Sequence, residues 1–257
     1  MKVAALYDVH GNLFALEAVL REVRDARIDL IVVGGDVLPG PMPRETLACL
    51  MALDIPVRFI HGNGDRVVAA HLAGGDISEV PEAFREVIHW TAQQLDANQR
   101  QAIAHWPPTC ELDIGELGHT IFCHATPRND TECFTRTTAA ERLTPVFGRV
   151  NASVVVCGHT HMQFDRTVAG RRVVNAGSVG MPFAAPRGAY WLSLGPGVHF
   201  RRTEYDFEKA AAYIRATAFP QAETLAVRYI VDPPTEVESL KMFTGAELEL
   251  TVIADRS

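Results

Sequence analysis

Five short apolar runs in this sequence each end at a residue able to bind a metal ion. Val3–Tyr7 leads into Asp8, Val9 and His10, and Leu30–Val33 leads through Gly34 and Gly35 to Asp36. Val57–Ile60 leads into His61, Gly62, Asn63, Gly64 and Asp65. Thr120–Cys123 ends at His124, and Ser153–Cys157 ends at Gly158, His159, Thr160 and His161. Each piece alone has a bland explanation, since an Asp behind a strand is commonly a turn or helix cap. The set has none, because loops beyond the carboxyl ends of parallel strands converge on one crevice. Residues two apart on an extended segment also face one side, which pairs Asp8 with His10 and His159 with His161. Two carboxylates (Asp8, Asp36), four imidazoles (His10, His124, His159, His161) and one amide (Asn63) form a mixed oxygen and nitrogen donor set without thiolate. Such a set suits manganese, iron, nickel or zinc rather than calcium or a structural cysteine-zinc site, and manganese is the cofactor expected first. Seven side chains are too many for one tetrahedral ion. They fit two divalent metal ions about 3.5–4 Å apart sharing a carboxylate, the arrangement of two-metal hydrolases.

The elements that must position these groups read as strands alternating with helices. Leu13, Leu16, Leu20 and Val23 lie at helical spacing over about 13–27. A second helix is predicted over 43–53, with Pro43 in its first turn, where a missing N–H does no harm. This alternation predicts right-handed βαβ units around a buried parallel sheet. Residues 64–106 read as mostly helical, and after Pro107-Pro108 two strands, 110–114 and 120–123, flank a Gly-containing turn. A helix is expected over 137–150, then a strand at 153–157. Several short strands follow from 164 to 203, and Asp206 is placed to cap a helix running to about 218. Pro233-Pro234 before Thr235 and Glu238 resembles a further helix start.

The 257 residues, 47% of them apolar, suffice for a sizeable core, and the formal net charge is −7. That balance gives no pull toward anionic membranes or nucleic-acid backbones. Long nucleic acid is therefore an unexpected partner, and a small phosphate-containing substrate must find its positive charge locally. Five cysteines with no CxxC spacing read as free thiols of a reducing compartment. No stretch approaches the ~20 apolar residues of a membrane helix. A soluble, cytoplasmic protein is expected.

Taken together, Asp8-Val9-His10, Gly35-Asp36, Gly62-Asn63-Gly64-Asp65, His124 and Gly158-His159-Thr160-His161 resemble the signature of the calcineurin-like metallophosphoesterase superfamily. Asn12 and the stretch Asn175-Ala176-Gly177-Ser178-Val179-Gly180 make the chain most similar to its compact bacterial and archaeal phosphodiesterase branch. The resemblance covers residues 1–205 and leaves 206–257 as a C-terminal helical extension that packs on the domain or forms a lid. It implies an α/β fold, a four-layer α/β/β/α sandwich with two mixed β-sheets. It further implies one ion held by Asp8, His10, Asp36 and His161, and another by Asp36, Asn63, His124 and His159. Asp36, Asn63 and His124 are the implied catalytic residues, and a hydroxide between the ions is the implied nucleophile.

One position departs from that pattern. Many relatives carry a His after the Asn as general acid, and here that position is Gly64. Losing a positioned acid costs about 10²–10⁴ in rate for poor leaving groups. Phosphodiesters, nucleotides and anhydrides are therefore expected ahead of monoesters with poor leaving groups. A Gly64→His change should improve the latter if the site has room, and His61 or His71 are possible substitute donors. Asn12 is a candidate to hold a ligand loop or touch phosphate, and Asp65 to orient a ligand imidazole. Arg66, Arg128 and Arg187 are candidate phosphate clamps, and Ser178 with Gly177 a candidate source of backbone N–H groups. Alternative readings are a serine/threonine protein phosphatase, a dinucleoside polyphosphate hydrolase and a non-catalytic scaffold of the same fold. Oligomeric state is not legible.

Overall fold

A computed structural model describes residues 1–78, 80–244 and 248. Ten strands are found among them: β1 (Val3–Leu6), β2 (Leu30–Val33), β3 (Val57–Phe59), β4 (Thr109–Ile114), β5 (Gly118–Cys123), β6 (Val154–Cys157), β7 (Gln163–Val168), β8 (Arg171–Ala176), β9 (Ala189–Leu194) and β10 (Val198–Thr203). The helices are α1 (Leu13–Asp25), α2 (Pro43–Met51), α3 (Asn63–Leu72), α4 (Glu82–Gln94), α5 (Ala97–Ile103), α6 (Ala140–Phe147), α7 (Phe207–Ala216), α8 (Ala222–Leu225), which continues as a π-helical turn over Ala226–Val231, and α9 (Glu236–Phe243).

The strands form two five-stranded mixed sheets, ordered β10-β9-β1-β2-β3 and β4-β5-β6-β8-β7. In the first, β1, β2 and β3 are parallel, and β9 and β10 run antiparallel at one edge. In the second, β5, β6 and β8 are parallel, with β4 and β7 antiparallel on the edges. The single parallel sheet that βαβ alternation suggests is thus replaced by two parallel triplets with antiparallel margins.

Strand alternation assigns each residue its layer. Ala4, Leu6, Ile31 and Val33 point to α1–α5 and pack with Leu16, Val19, Leu47, Val68 and Ile88. Their neighbours Val3, Ala5, Tyr7 and Val32 point the other way and meet Phe122, Val154, Val156 and Val174 of the second sheet. The far face of that sheet, with Val155, Cys157 and Val173, is covered by Leu143, Val146 and Phe147 of α6. The result is an α/β/β/α sandwich. Tyr7 is buried between the sheets, and its hydroxyl donates to Val156 O at 3.0 Å. Truncating a fully buried residue such as Leu16 would cost about 2–5 kcal/mol.

Beyond β10, the Asp206 side chain caps α7 by accepting from Lys209 N at 2.9 Å. Ala210, Ala211 and Ile214 of α7 then pack with Ala226, Ile230 and Met42. Thr235 and Glu238 form the reciprocal cap at the start of α9. Apart from Leu248, the part of the 206–257 extension beyond 244 lies outside the described residues.

Candidate metal centre

The loops after β1, β2, β5 and β6 and the start of α3 meet at the carboxyl ends of the parallel strands. Backbone bonds lace them together: Asp8 N donates to Gly35 O, His10 N to Asp36 O, Gly158 N to His124 O, and Gly180 N to Asp8 O, all at 2.8–3.0 Å. Asp8, His10, Asp36, His159 and His161 all adopt positive φ, between 45° and 66°. Left-handed backbone at non-glycine residues is costly and concentrates at functional sites. It also corrects the expectation that the paired ligands sit on extended chain. Asp8 and His10, like His159 and His161, lie on tight loops, and the latter two diverge into different clusters.

Two groups of ligand atoms result: Asp8, His10 and His161, and Asp36, His124 and His159. Asp36 faces both, with its Oδ2 3.9 Å from His10 Nε2 and 3.5 Å from His124 Nε2. Its other oxygen accepts from Gly64 N at 2.8 Å. Asp8 Oδ2 accepts from His159 N at 2.9 Å. Asp8 Oδ1, 3.3 Å from His161 Nε2, is buried and has no hydrogen-bond partner among the described residues.

The far nitrogens of the imidazoles show which atoms face the centre. His124 Nδ1–H donates to Gly34 O at 3.0 Å, and His161 Nδ1–H donates to Met181 O at 2.6 Å. Each leaves Nε2 with a lone pair directed inward. His159 is reversed. Its Nδ1 lies 3.2 Å from His124 Nε2, and its Nε2 lies 3.4 Å from Cys133 Sγ. The Asn63 amide sits 3.0 Å from His159 Nδ1 and 3.2 Å from His124 Nε2. Turned one way, its NH₂ donates to those nitrogens. Turned the other, its oxygen faces the same two ring nitrogens, an arrangement that a cation between them would favour.

With protons as the only cations, the charges are visibly strained. Burial disfavours a charged His124, yet Asp36 outweighs it and pushes the imidazole up to about 10. Burial and the adjacent His124 push His159 down to about 4. Burial would raise Asp8 and Asp36, but neighbouring imidazoles hold both carboxyls below the usual range. Desolvated carboxylates, an orphaned carboxylate oxygen and converging lone pairs together fit divalent cations.

Several of the other candidates do different work. Asn12 caps α1 through Ala15 N and donates to Gly180 O, so it fixes the ligand loop. Asp65 orients no imidazole. It accepts from Leu38 N and Gly62 N, and burial plus Asp36 push it up to about 8. Ser178 acts through its hydroxyl, which donates to Asp8 O at 2.7 Å. Arg187 is no phosphate clamp. It donates to Val231 O at 2.9 Å and lies over the Phe207 ring. Arg66 is held by Asp130, and Arg128 by Glu132, each through two guanidinium nitrogens. Both still line a cavity of about 470 Å³ that opens on His124 and His61. His71 is remote, paired with His89 between α3 and α4. Gly64 has no room for a side chain, since a Cβ there would lie 2.3 Å from Leu38 O and 2.8 Å from Pro39 Cδ.

Two supporting residues carried no signal of this role in the sequence. Cys133 sits behind His159, on a segment that reads as a polar loop. Asp130 ties that segment to α3 through Arg66 and lies 3.4 Å from His61 Nδ1.

Comparison with known proteins shows the family and the fold. The family model described as "Calcineurin-like phosphoesterase superfamily domain" matches residues 1–194. The "Uncharacterized protein MJ0912" of Methanocaldococcus jannaschii is 24% identical over 238 residues, which cover 85% of this chain and 94% of that protein. Among solved structures, a metallophosphoesterase from Sphaerobacter thermophilus aligns with a TM-score of 0.70 and 26% identity, over 89% of this chain and 97% of that one. Hypothetical protein PH1004 from Pyrococcus horikoshii OT3 aligns with a TM-score of 0.76 and 20% identity, over 91% and 99%. The chain belongs to the calcineurin-like phosphoesterase superfamily.

Proposed function

We propose that this protein is a cytoplasmic metal-dependent phosphoesterase that uses two divalent ions, best matched by manganese, to hydrolyse small phosphodiesters or nucleotide-type phosphates. The observation that carries this reading is the meeting of two three-residue ligand clusters at Asp36, with the orphaned Asp8 Oδ1 between His10, His124 and His161. Asp8, His10 and His161 would hold one ion, and Asn63, His124 and His159 the other, with Asp36 shared. Ions bound there supply Lewis acidity toward phosphoryl oxygens and make water acidic enough to act near neutral pH.

The chain's own groups set the geometry. Gly34 O and Met181 O hold Nδ1 of His124 and His161 as hydrogen-bond donors, so Nε2 is the atom each ring turns toward the centre. Gly64 N holds one Asp36 oxygen and turns the other inward. The cavity beside His124 gives a substituent on phosphorus a place to lie. Gly64 supplies no proton, which favours substrates whose leaving group departs without one. Five free cysteines support a reducing compartment, and no helix among the described residues is long and apolar enough to cross a membrane. The test is Mn²⁺-dependent hydrolysis of bis-p-nitrophenyl phosphate. It should be present in the wild type and abolished in Asp36→Asn. No turnover with any divalent metal across a broad phosphate panel would refute the proposal.

A further inference from the structure

We infer that the C-terminal helices build an aromatic wall along the metal cleft, and that this wall binds a flat aromatic group carried by the phosphate substrate. The phosphate half of this inference rests on the proposed function; the wall rests on geometry alone. Phe183 lies against a candidate ligand, its ring centroid 4.7 Å from that of His161. Behind it stand Tyr229 and Phe243, with centroids 6.1 and 6.3 Å from Phe183, each inclined at 36°. Phe183 itself is buried at 6% exposure. The accessible aromatic surface on this side of the centre therefore belongs to Tyr229 and Phe243, both half-buried.

The wall is fixed at several points. Phe183 N donates to His161 O at 3.1 Å. Arg187 donates to Val231 O, two residues beyond Tyr229. At the start of α9, Glu236 accepts from Arg136 at 2.6 Å. Leu248 N donates to Cys133 O at 3.0 Å, and the same cysteine's sulfur touches His159. Phe183 thus lies beside His161 of one cluster, and Leu248 beside the cysteine that touches His159 of the other.

This composition selects an occupant. A purely aliphatic substituent would gain only from area burial, but a flat ring also gains from offset stacking at centroid distances of 4.5–7 Å. Phe183 already stands at such distances from both rings. Phe183 links the two features, with its ring against His161 and 6.1 and 6.3 Å from those of Tyr229 and Phe243. Stacking of one base on an aromatic side chain is strong enough to change affinity by about tenfold or more.

The test uses full-length, Mn²⁺-loaded protein and two ligands that differ only in a flat ring: adenosine 5′-monophosphate and ribose 5-phosphate. Calorimetric titration should show the former binding about tenfold tighter in the wild type. Tyr229→Leu and Phe243→Leu keep apolar volume but remove the ring, and the preference should collapse toward one in either variant. Tyr229→Phe should retain it. Equal affinities in the wild type, binding of neither ligand at millimolar concentration, or an undiminished preference in both leucine variants would overturn the inference. Hydrolysis of bis-p-nitrophenyl phosphate is measured in parallel. Its absence beside an intact, ring-dependent preference would reject the enzymatic reading and leave the wall standing.

Discussion

Gly64 is the position where the structure makes its sharpest demand on sequence. It is the second residue of α3, its N–H donates to Asp36 Oδ1 at 2.8 Å, and a Cβ would lie 2.3 Å from Leu38 O, 2.8 Å from Pro39 Cδ and 3.0 Å from Asp36 Oδ1. The first contact is more than about 1 Å inside ordinary van der Waals separation, and its partner is backbone, which cannot swing away. Overpacking of this kind costs about 1–3 kcal/mol. Pulling Gly64 N from a buried carboxylate forfeits about 1.5–3 kcal/mol more. Gly64→Ala is therefore expected to destabilise the metal-free protein by about 2.5–6 kcal/mol, and even the lower end lowers Tm by about 5–10 °C for a chain of this size. It should also weaken Mn²⁺ binding, because Asp36 faces both clusters. Differential scanning calorimetry and calorimetric metal titration read both effects. Gly74→Ala is the control: its Cβ meets nothing within 4 Å, so only the strain of a φ of 80° is added. A Gly64→Ala protein melting within 2 °C of wild type, with unchanged Mn²⁺ affinity, would refute the steric reasoning. The same clash revises the outlook for Gly64→His: it should fail to fold or to bind metal rather than acquire a general acid.

Two other substitutions probe the supports of the centre. Cys133→Ala removes the sulfur 3.4 Å from His159 Nε2, and loss of such an outer contact typically lowers metal affinity by 10–100-fold. Because sulfur is a weak acceptor, about tenfold is expected, confined to one of two titratable ions; equal weakening of both would count against it. Asp130→Asn breaks the paired bonds to Arg66. Burial would raise this carboxyl, but His61 and Arg66 hold it well below the usual range. Its folded pKa lies below the unfolded value, so its stabilisation is present above about pH 4 and lost as pH falls through the folded pKa. With Arg66 half-exposed, about 1 kcal/mol is expected. The Tm gap between wild type and Asp130→Asn should be steady from pH 5 to 8 and narrow below pH 4; a gap that widens on acidification would contradict this assignment.

Much of this arrangement was legible because local and global signals coincide. The buried runs Leu30–Val33 and Val154–Cys157 end at Asp36 and at His159 and His161, and β topology carries such ends to one edge. Apolar spacing located α1, and Asp206 announced α7. What escaped has physical causes. Strand periodicity says which face is buried but not what covers it, so the two mixed sheets were implied by the family resemblance alone, and no local pattern showed that β9 and β10 form an antiparallel margin. Residues two apart were read as extended, whereas left-handed backbone at His159 and His161 sends them to separate clusters. Arg66 looked available for phosphate because its partner Asp130 lies far away in sequence, though the partner of Arg128 is only four residues on. The contacts of Cys133 and Tyr229 are made only after folding.

The most direct measurement is anomalous diffraction from a crystal grown with Mn²⁺. Two peaks about 3.5–4 Å apart, one beside Asp8, His10 and His161, the other beside Asn63, His124 and His159, with Asp36 between them, are expected. A single peak, or none within reach of Asp36, would contradict a centre built from two ions.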